Sequence, residues 1–388
     1  MTDVLRVPGT DGKKLISNSS RNTFTKCPRY FKMHALDGVR RVQDELPLSV
    51  GSLVHEMLLH FYKGDNVDSL IDQIVAWRDA EITKSRLIET PDYNEDEIGK
   101  RAEIACDVMS RYVDAYGDDV KHYSILAAEM PFVVPIPQWV GSADTRKMRV
   151  DPLFAYTGKF DLVVRDNRTN QVFVIDHKTT TLSDMQRFEQ EIELGGAGQR
   201  VGYVYAARFF FENVTGIMYN VLRMKIPSSP KTVQCRKCKG DGCAACFDTG
   251  YSGLSKVVPD TTLRVFDKTI AELQQANPAV DLSLAAELRE EISRKGERFL
   301  YRFSSATTQA EIERWADDMY DVSHAMLSAM RDERWYRNLA ACSVNGRKCS
   351  LLNVCAHGWE GNTNYKIVKS DPWIPGEVIQ SDDETTEE

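Results

Sequence analysis

The order of periodic segments predicts a mixed α/β protein with helical additions. Three observations carry this. Residues 50–63 repeat apolar side chains at helical spacing. TGKFDLVV and QVFVIDHK are short apolar runs joined by the turn-rich RDNRTN, and EIERWADDMYDVSHAMLSAM is strongly amphipathic. No internal repeat is present.

In chain order, residues 1–16 read as a weak lead-in. Ser17-Asn18-Ser19-Ser20 supplies an N-cap for a helical stretch through Cys27, Tyr30, Phe31 and Met33. A second helix is expected from Val50 to Lys63, with Leu53, Val54, Met57, Leu58 and Phe61 on its apolar face. Residues 66–116 suggest two or three more helices, split by the polar ETPDYNEDE. A strand is expected from Tyr123 to Ile136, ending at prolines. The 157–178 hairpin follows, then helix over 185–213 interrupted at Gly195-Gly196, then a strand in GIMYNVLRMKI. A loop between Pro227 and Gly253 leads into a mostly helical stretch to about Asp332.

Hydrophobic residues make up 42% and charged residues 27%, which excludes disorder as the main state. No apolar run is long enough to span a bilayer, and MTDVLRVPGTDGKK lacks a signal-peptide core, so a cytoplasmic protein without membrane contact is expected. The formal charge of −8 argues at first against a nucleic-acid partner. Five of the acids, however, fall in the last eight residues, and without them the chain carries −3. The segment 375–388 reads as a solvated, disordered tail.

Nine cysteines in such a chain point to metal rather than disulfides. Cys235, Cys238, Cys243 and Cys246 form C-x2-C-x4-C-x2-C with intervening glycines, the pattern of a structural zinc site. Arg236, Lys237 and Lys239 make a small basic tip that could touch phosphate or simply be solvated. Cys27 near the start and Cys342, Cys349 and Cys355 near the end form a second set, while Cys106 reads as a packed core thiol.

Strand alternation places Asp176 and Lys178 on one face of VFVIDHK, and Asp161 interrupts the apolar GKFDLVV on the paired strand. Two nearby carboxylates within apolar strands repel unless a cation lies between them. A hard cation such as Mg²⁺ or Mn²⁺ suits oxygen ligands, and the adjacent lysine can stabilise charge on a phosphate. A surface hairpin with an Asp–Lys pair explains the same residues. His55, in an apolar helix, could add an imidazole ligand or be an ordinary helix histidine. Gln199 and Tyr203, four apart, share a helix face.

Taken in order, His55, Gly158-x-x-Asp161, Asp176-His177-Lys178 and Gln199-x-x-x-Tyr203 resemble the RecB-type branch of the PD-(D/E)xK nucleases. The resemblance implies a restriction-endonuclease-like mixed β-sheet core flanked by helices, with His55, Asp161 and Asp176 as ligands of Mg²⁺ or Mn²⁺. It makes Asp161, Asp176 and Lys178 catalytic, and gives Gln199 and Tyr203 to DNA. Many relatives carry glutamate where Asp176 stands, and aspartate serves the same ligand role. Glu129 resembles a family strand residue near the site but reads equally as a strand-edge acid, and is not in the candidate set.

Cys27 with Cys342, Cys349 and Cys355 also resembles the iron–sulfur members of this branch, including AddB-like and CRISPR-associated RecB-like nucleases. That likeness implies a [4Fe-4S] cluster stapling the chain ends. The trio is spaced C-x6-C-x5-C where many relatives have C-x2-C-x5-C, and a four-thiolate zinc site or unligated thiols are the alternatives. The domain reading is a nuclease core over 17–226, a zinc-ribbon-like insertion over 227–253, and a helical segment over 254–360 whose cysteine trio returns to Cys27. The function expected is a metal-dependent exonuclease of phage or bacterial recombination and repair, acting on linear or single-stranded DNA. No P-loop signature occurs, so a helicase or recombinase would be a separate partner. A non-catalytic DNA-binding scaffold and an iron–sulfur redox regulator are the competing classes.

Overall fold

The computed structural model describes residues 4–41, 46–87, 95–140, 147–195, 197–344, 347–358 and 365–368. The acidic segment 375–388 lies outside the described residues. Two short strands, β1 (Leu5–Arg6) and β2 (Lys14–Ile16), come from the stretch read as a mere lead-in. They are too short to show alternation and form only by pairing, in parallel, with longer strands downstream. Ser17 then caps α1 (Asn18–Lys26), its hydroxyl accepting from the Ser20 N–H. Pro28 opens α2 (Pro28–Phe31), which runs on into a π-turn over Lys32–Leu36 and then β3 (Val39–Arg41).

Next come α3 (Leu46–Tyr62), α4 (Val67–Leu87) and α5 (Glu95–Tyr116). The polar segment expected as a break is partly helix, because Glu95, Asp96 and Glu97 favour the first turn of α5. A short α6 (Asp119–His122) leads into β4 (Tyr123–Val140), β5 (Lys147–Asp166) and β6 (Val172–Thr180). Then follow α7 (Met185–Gly195), α8 (Ala197–Ala207) and β7 (Val214–Arg223). The cysteine loop holds the hairpin β8 (Thr232–Gln234) and β9 (Tyr251–Leu254), followed by α9 (Leu263–Ala276) and α10 (Ala285–Arg294). Beyond them are β10 (Leu300–Ala306) and α11 (Gln309–Arg331). The chain closes with β11 (Ser343–Val344), β12 (Arg347–Lys348), α12 (Leu352–His357) and β13 (Tyr365–Ile367).

The central sheet has seven strands in the order β1-β4-β5-β6-β7-β10, with β2 also on β5. The β4–β5, β5–β6 and β7–β10 pairs are antiparallel, and β6–β7 is parallel through the α7–α8 crossover. One expectation is corrected. The fourth strand does not stop at its prolines but runs through Pro131, Pro135 and Pro137, with a register shift between Pro135 and Pro137 that absorbs the lost ladder bonds. The stretch from Gly253 to Asp332 is mostly helical, as expected, with the addition of β10, which extends the sheet alongside β7.

Helices cover both faces. On one, α3, α4 and α5 pack Leu53, Val54, Leu58, Leu70 and Val108 against Leu162, Val164 and Ile175. On the other, α8 and α11 pack Val201, Val204, Trp315 and Met319 against Phe132, Phe160, Val163 and Val174. Each fully buried side chain of this kind contributes about 1.5–3 kcal/mol, so the strand register is fixed by both faces at once. The C-terminal β13 pairs with β3, bringing Leu351, Val354 and Tyr365 onto Met33 and Val39 near the N-terminus.

Candidate active site and cysteine centres

The β5–β6 ladder runs from Arg165–Val172 to Leu162–Ile175 and ends there. One residue further out stand Asp161 and Asp176. The His177 N–H donates to Asp161 Oδ2 at 3.0 Å, so a carboxylate takes the place of a ladder carbonyl. Alternation along β6 puts Asp176 and Lys178 on one side, with Nζ 2.7 Å from Oδ2. Asp176 is only 2% exposed, which removes the reading of a surface salt bridge.

From α8, Gln199 reaches both partners. Its Oε1 accepts from Lys178 Nζ at 3.0 Å, and its Nε2 donates to Asp176 Oδ1 at 3.5 Å. Tyr203, one turn on, sets its ring edge-on to Phe132 and Phe160, with centroids 5.8 and 5.9 Å away. From α3, His55 Nδ1 lies 3.5 Å from Asp161 Oδ2. The fold thus gathers all six residues singled out around the expected cation and strand.

One neighbour was passed over. Glu129 sits on β4 between the pairs Ala128–Leu162 and Met130–Phe160, hence across from Asp161. Its φ of 48° is left-handed, a conformation that costs a non-glycine residue about 1 kcal/mol or more. Ligand atoms of His55, Glu129 and Asp161 all lie within 4.8 Å of one another. Glu129 also pairs with Lys159. The signal in the sequence was an acid inside the apolar AAEMPF, the same signal that exposed Asp161.

The electrostatics are those of crowded, buried acid. Burial, then Asp176, push the Asp161 carboxyl up to about 8, against the pull of the His177 N–H and Lys178. Burial also holds the His55 imidazole below its ordinary value, although Asp176 and Glu129 pull the other way, so it is neutral and has a lone pair to give. Asp176 Oδ2 is enclosed and accepts no hydrogen bond; its compensation is the Lys178 ion pair. The two carboxylates of Glu129 and Asp161 and the His55 imidazole, with the buried Asp176 carboxylate beside them, fit a hard divalent cation.

In the zinc-type loop, sulfur separations are 4.0 Å for Cys235–Cys243, 3.7 Å for Cys238–Cys246 and 3.8 Å for Cys243–Cys246. Ligands about 2.3 Å from a tetrahedral centre stand about 3.8 Å apart, so the four thiols form a cage of the size one zinc ion needs. Backbone N–H groups of Cys238 and Lys237 hold the Cys235 thiol down to about 7, while, against the Ala245 N–H, burial and hydrogen bonds with Cys246 and Cys238 push Cys243 up to about 11. Lys239, Phe247 and Asp248 take positive φ, as tight knuckle turns demand.

The other four cysteines come together although more than three hundred residues separate Cys27 from Cys342. All four line one cavity of about 1090 Å³. Burial, with Cys342, Cys27 and Cys355 adding like charge, raises the Cys349 thiol. Unlike the first set, these four do not form a group whose ligand atoms all lie within 4.8 Å of one another.

Among the described residues no helix is long and apolar enough to cross a membrane. The family model described as PD-(D/E)XK nuclease superfamily matches residues 15–356, most of the chain. The mixed seven-stranded sheet flanked by helices is consistent with the restriction-endonuclease-like fold of that family. No curated protein matches the chain.

Proposed function

The chain belongs to the PD-(D/E)XK nuclease superfamily, and from that premise we propose a Mg²⁺- or Mn²⁺-dependent deoxyribonuclease of the RecB-like and AddB-like branch. In this reading it works as an exonuclease on linear or single-stranded DNA. Membership itself implies nuclease hydrolase chemistry that uses a divalent metal. The observation supporting the finer reading is that ligand atoms of His55, Glu129 and Asp161 lie within 4.8 Å of one another, with the Asp176–Lys178 pair beside them at the end of the β5–β6 ladder.

His55, Asp161 and Asp176 would hold the cation, with Glu129 adjoining. A divalent cation bound there supplies Lewis-acid stabilisation of charge on the phosphoryl oxygens. Lys178, fixed between Asp176 and Gln199, presents its ammonium to the same developing charge without reorganising. Gln199 and Tyr203 orient the strand, and the burial of Asp176 keeps bulk water from screening these charges.

Zinc would occupy the Cys235/Cys238/Cys243/Cys246 cage, and a [4Fe-4S] cluster the Cys27/Cys342/Cys349/Cys355 set, where it would staple the chain ends. The setting we propose is phage or bacterial DNA recombination and repair in the cytoplasm, with a separately encoded helicase or recombinase as partner.

Digestion of matched linear, circular, double- and single-stranded DNA tests this. Linear forms should be degraded with Mg²⁺ or Mn²⁺, and Asp176→Ala should lower the rate by at least about a hundredfold while the circular-dichroism spectrum stays unchanged. Wild-type protein that cuts no DNA form with either metal overturns the reading. For the cysteines, protein purified without oxygen should be brown and contain iron. A colourless preparation holding only zinc defeats the cluster assignment.

A further inference from the structure

Alternation along β6 divides the site between the two faces of the sheet. Asp176 and Lys178 point toward α8, where Gln199 fixes them, and His177 between them points the other way, toward α3 and α5. His177 is buried and lies outside the ligand group of His55, Glu129 and Asp161. It meets that group twice. Its backbone N–H donates to Asp161 Oδ2 at 3.0 Å, and its ring stands edge-on to the His55 imidazole with centroids 5.8 Å apart. We propose that His177 is a positioning residue of the cation site, locked in a single tautomer by Asn220 so that its ring and backbone hold His55 and Asp161 together; the proposal rests on the nuclease reading above.

The lock follows from which groups can donate. Arg302, Asn220 and His177 stand directly opposite one another on β10, β7 and β6. A guanidinium only donates, and Arg302 Nε lies 2.6 Å from Asn220 Oδ1, so that oxygen is the accepting end of the amide. The Asn220 Nδ2 then donates to the Tyr112 hydroxyl at 2.8 Å and to His177 Nδ1 at 3.2 Å. An Nδ1 that accepts carries no proton, so the imidazole is neutral with its hydrogen on Nε2. Arg302 is itself fixed, its guanidinium forking onto Asp119 at 2.9 and 2.6 Å and lying over the Tyr116 ring. Tyr62 gives its hydroxyl proton to Asp119 at 2.8 Å, which leaves Tyr112 to donate to Tyr62 at 2.7 Å. The rings of Tyr62 and Tyr112 flank the His177 imidazole, with centroids 6.1 and 6.2 Å away. One ion pair thus sets every direction in the chain, and the chain ends at the site. Apolar packing alone would fill this row at lower cost; a fully satisfied polar chain fixes one arrangement of the ring beside His55.

Nitrogen-15 histidine labelling of the full chain, purified anaerobically without added divalent metal, reads the tautomer by NMR, and seven histidines keep the spectrum sparse. His177 is assigned by the signal missing from His177→Asn, which keeps an acceptor for Asn220. At pH 7 it should show a bare Nδ1 and a protonated Nε2; a protonated Nδ1 overturns the lock. That measurement stands whether or not the more severe variants fold. Mn²⁺ affinity, by calorimetry, should fall about tenfold in His177→Leu and again in Asn220→Leu, the scale of lost partners behind metal ligands. Asn220 is two strands from Asp161, so its effect has to pass through His177. The double variant should therefore lose no more than about tenfold, whereas two independent packing defects would multiply to about a hundredfold. Wild-type affinity in His177→Leu, or multiplied losses in the double variant, overturns the proposal. If wild-type protein cleaves no DNA while these losses hold, the nuclease reading falls and the positioning of the cation stands; cleavage with unchanged affinities sinks the positioning alone.

Discussion

Glu129 and Asp161 face each other across β4 and β5, and burial with Asp176 and Glu129 nearby keeps a proton on Asp161 until a cation replaces it. Glu129→Gln keeps the shape and removes one charge. Metal affinity should fall by about tenfold, on the scale of other losses around metal sites, as measured by calorimetry; unchanged affinity would show that Glu129 serves only Lys159. Asp161 makes the site pH-dependent. Its carboxyl titrates at about 8 in the folded protein against an ordinary 3.8, so between those values the folded metal-free chain holds a proton that the unfolded chain has lost. Metal-free stability should therefore decline as pH rises from about 4 towards 8, the opposite of a salt-bridged aspartate. Mg²⁺ must displace that proton, so binding at pH 7 should release close to one proton and tighten as pH rises to about 8. Calorimetry in two buffers of different ionisation enthalpy measures this, and no proton release at pH 7 would refute it. Asp161, Asp176 and Lys178 were legible in the sequence because charge inside an apolar strand is conspicuous. Glu129 was not distinguished from an edge acid, because its meaning lies in a left-handed φ and a cross-strand register that local pattern does not encode.

Among the elements, the α8 helix and the β5 strand are coupled through a missing side chain. Gly158 pairs with Phe132, and a Cβ there would stand 2.7 Å from Phe132 Cζ and 3.2 Å from Tyr203 Cε1. Phe132 is fully buried and stacked on Phe160 at 4.3 Å, so it cannot swing away. Gly158→Ala should destabilise the protein by about 1–3 kcal/mol in a denaturant titration and raise KM through the displaced Tyr203; wild-type stability would mean the ring yields freely. The hairpin, the α7–α8 pair and α11 were readable because each carries its own period and turn residues. The capping box of Thr308 and Glu311 that starts α11 is likewise local. Strand β10 was hidden inside a region of helical pattern, since LYRFSSA becomes a strand only by pairing with β7. The run of β4 through three prolines was hidden for the converse reason: a local rule against proline in strands is overridden where bulges accommodate it.

Over the whole molecule, the cysteine hairpin and the helices after it form a satellite to the main sheet. Leu254, Phe266, Leu288 and Ile292 make a separate small core. Asp260 ties it down, held well below the usual carboxylate range first by Arg223 and also by Lys225 and Arg298. Cys243→Ser should lose one equivalent of zinc and raise hydrogen exchange in residues 232–254, while the central sheet keeps its melting temperature within a few degrees. Collapse of the sheet together with the hairpin would show one cooperative unit instead. The zinc-type knuckles were legible at once, because their four thiols lie close along the chain and need only tight turns to meet. The same holds for the pairing of Asp161 with Asp176 and Lys178, which one hairpin carries. Only the tertiary structure decided that β13 returns to β3, that Cys27 faces Cys342, Cys349 and Cys355 across one cavity, and that Glu129 joins His55 and Asp161. Those meetings depend on strand register and helix docking, which are set by burial on both faces of the sheet and leave no periodic trace in the amino-acid order.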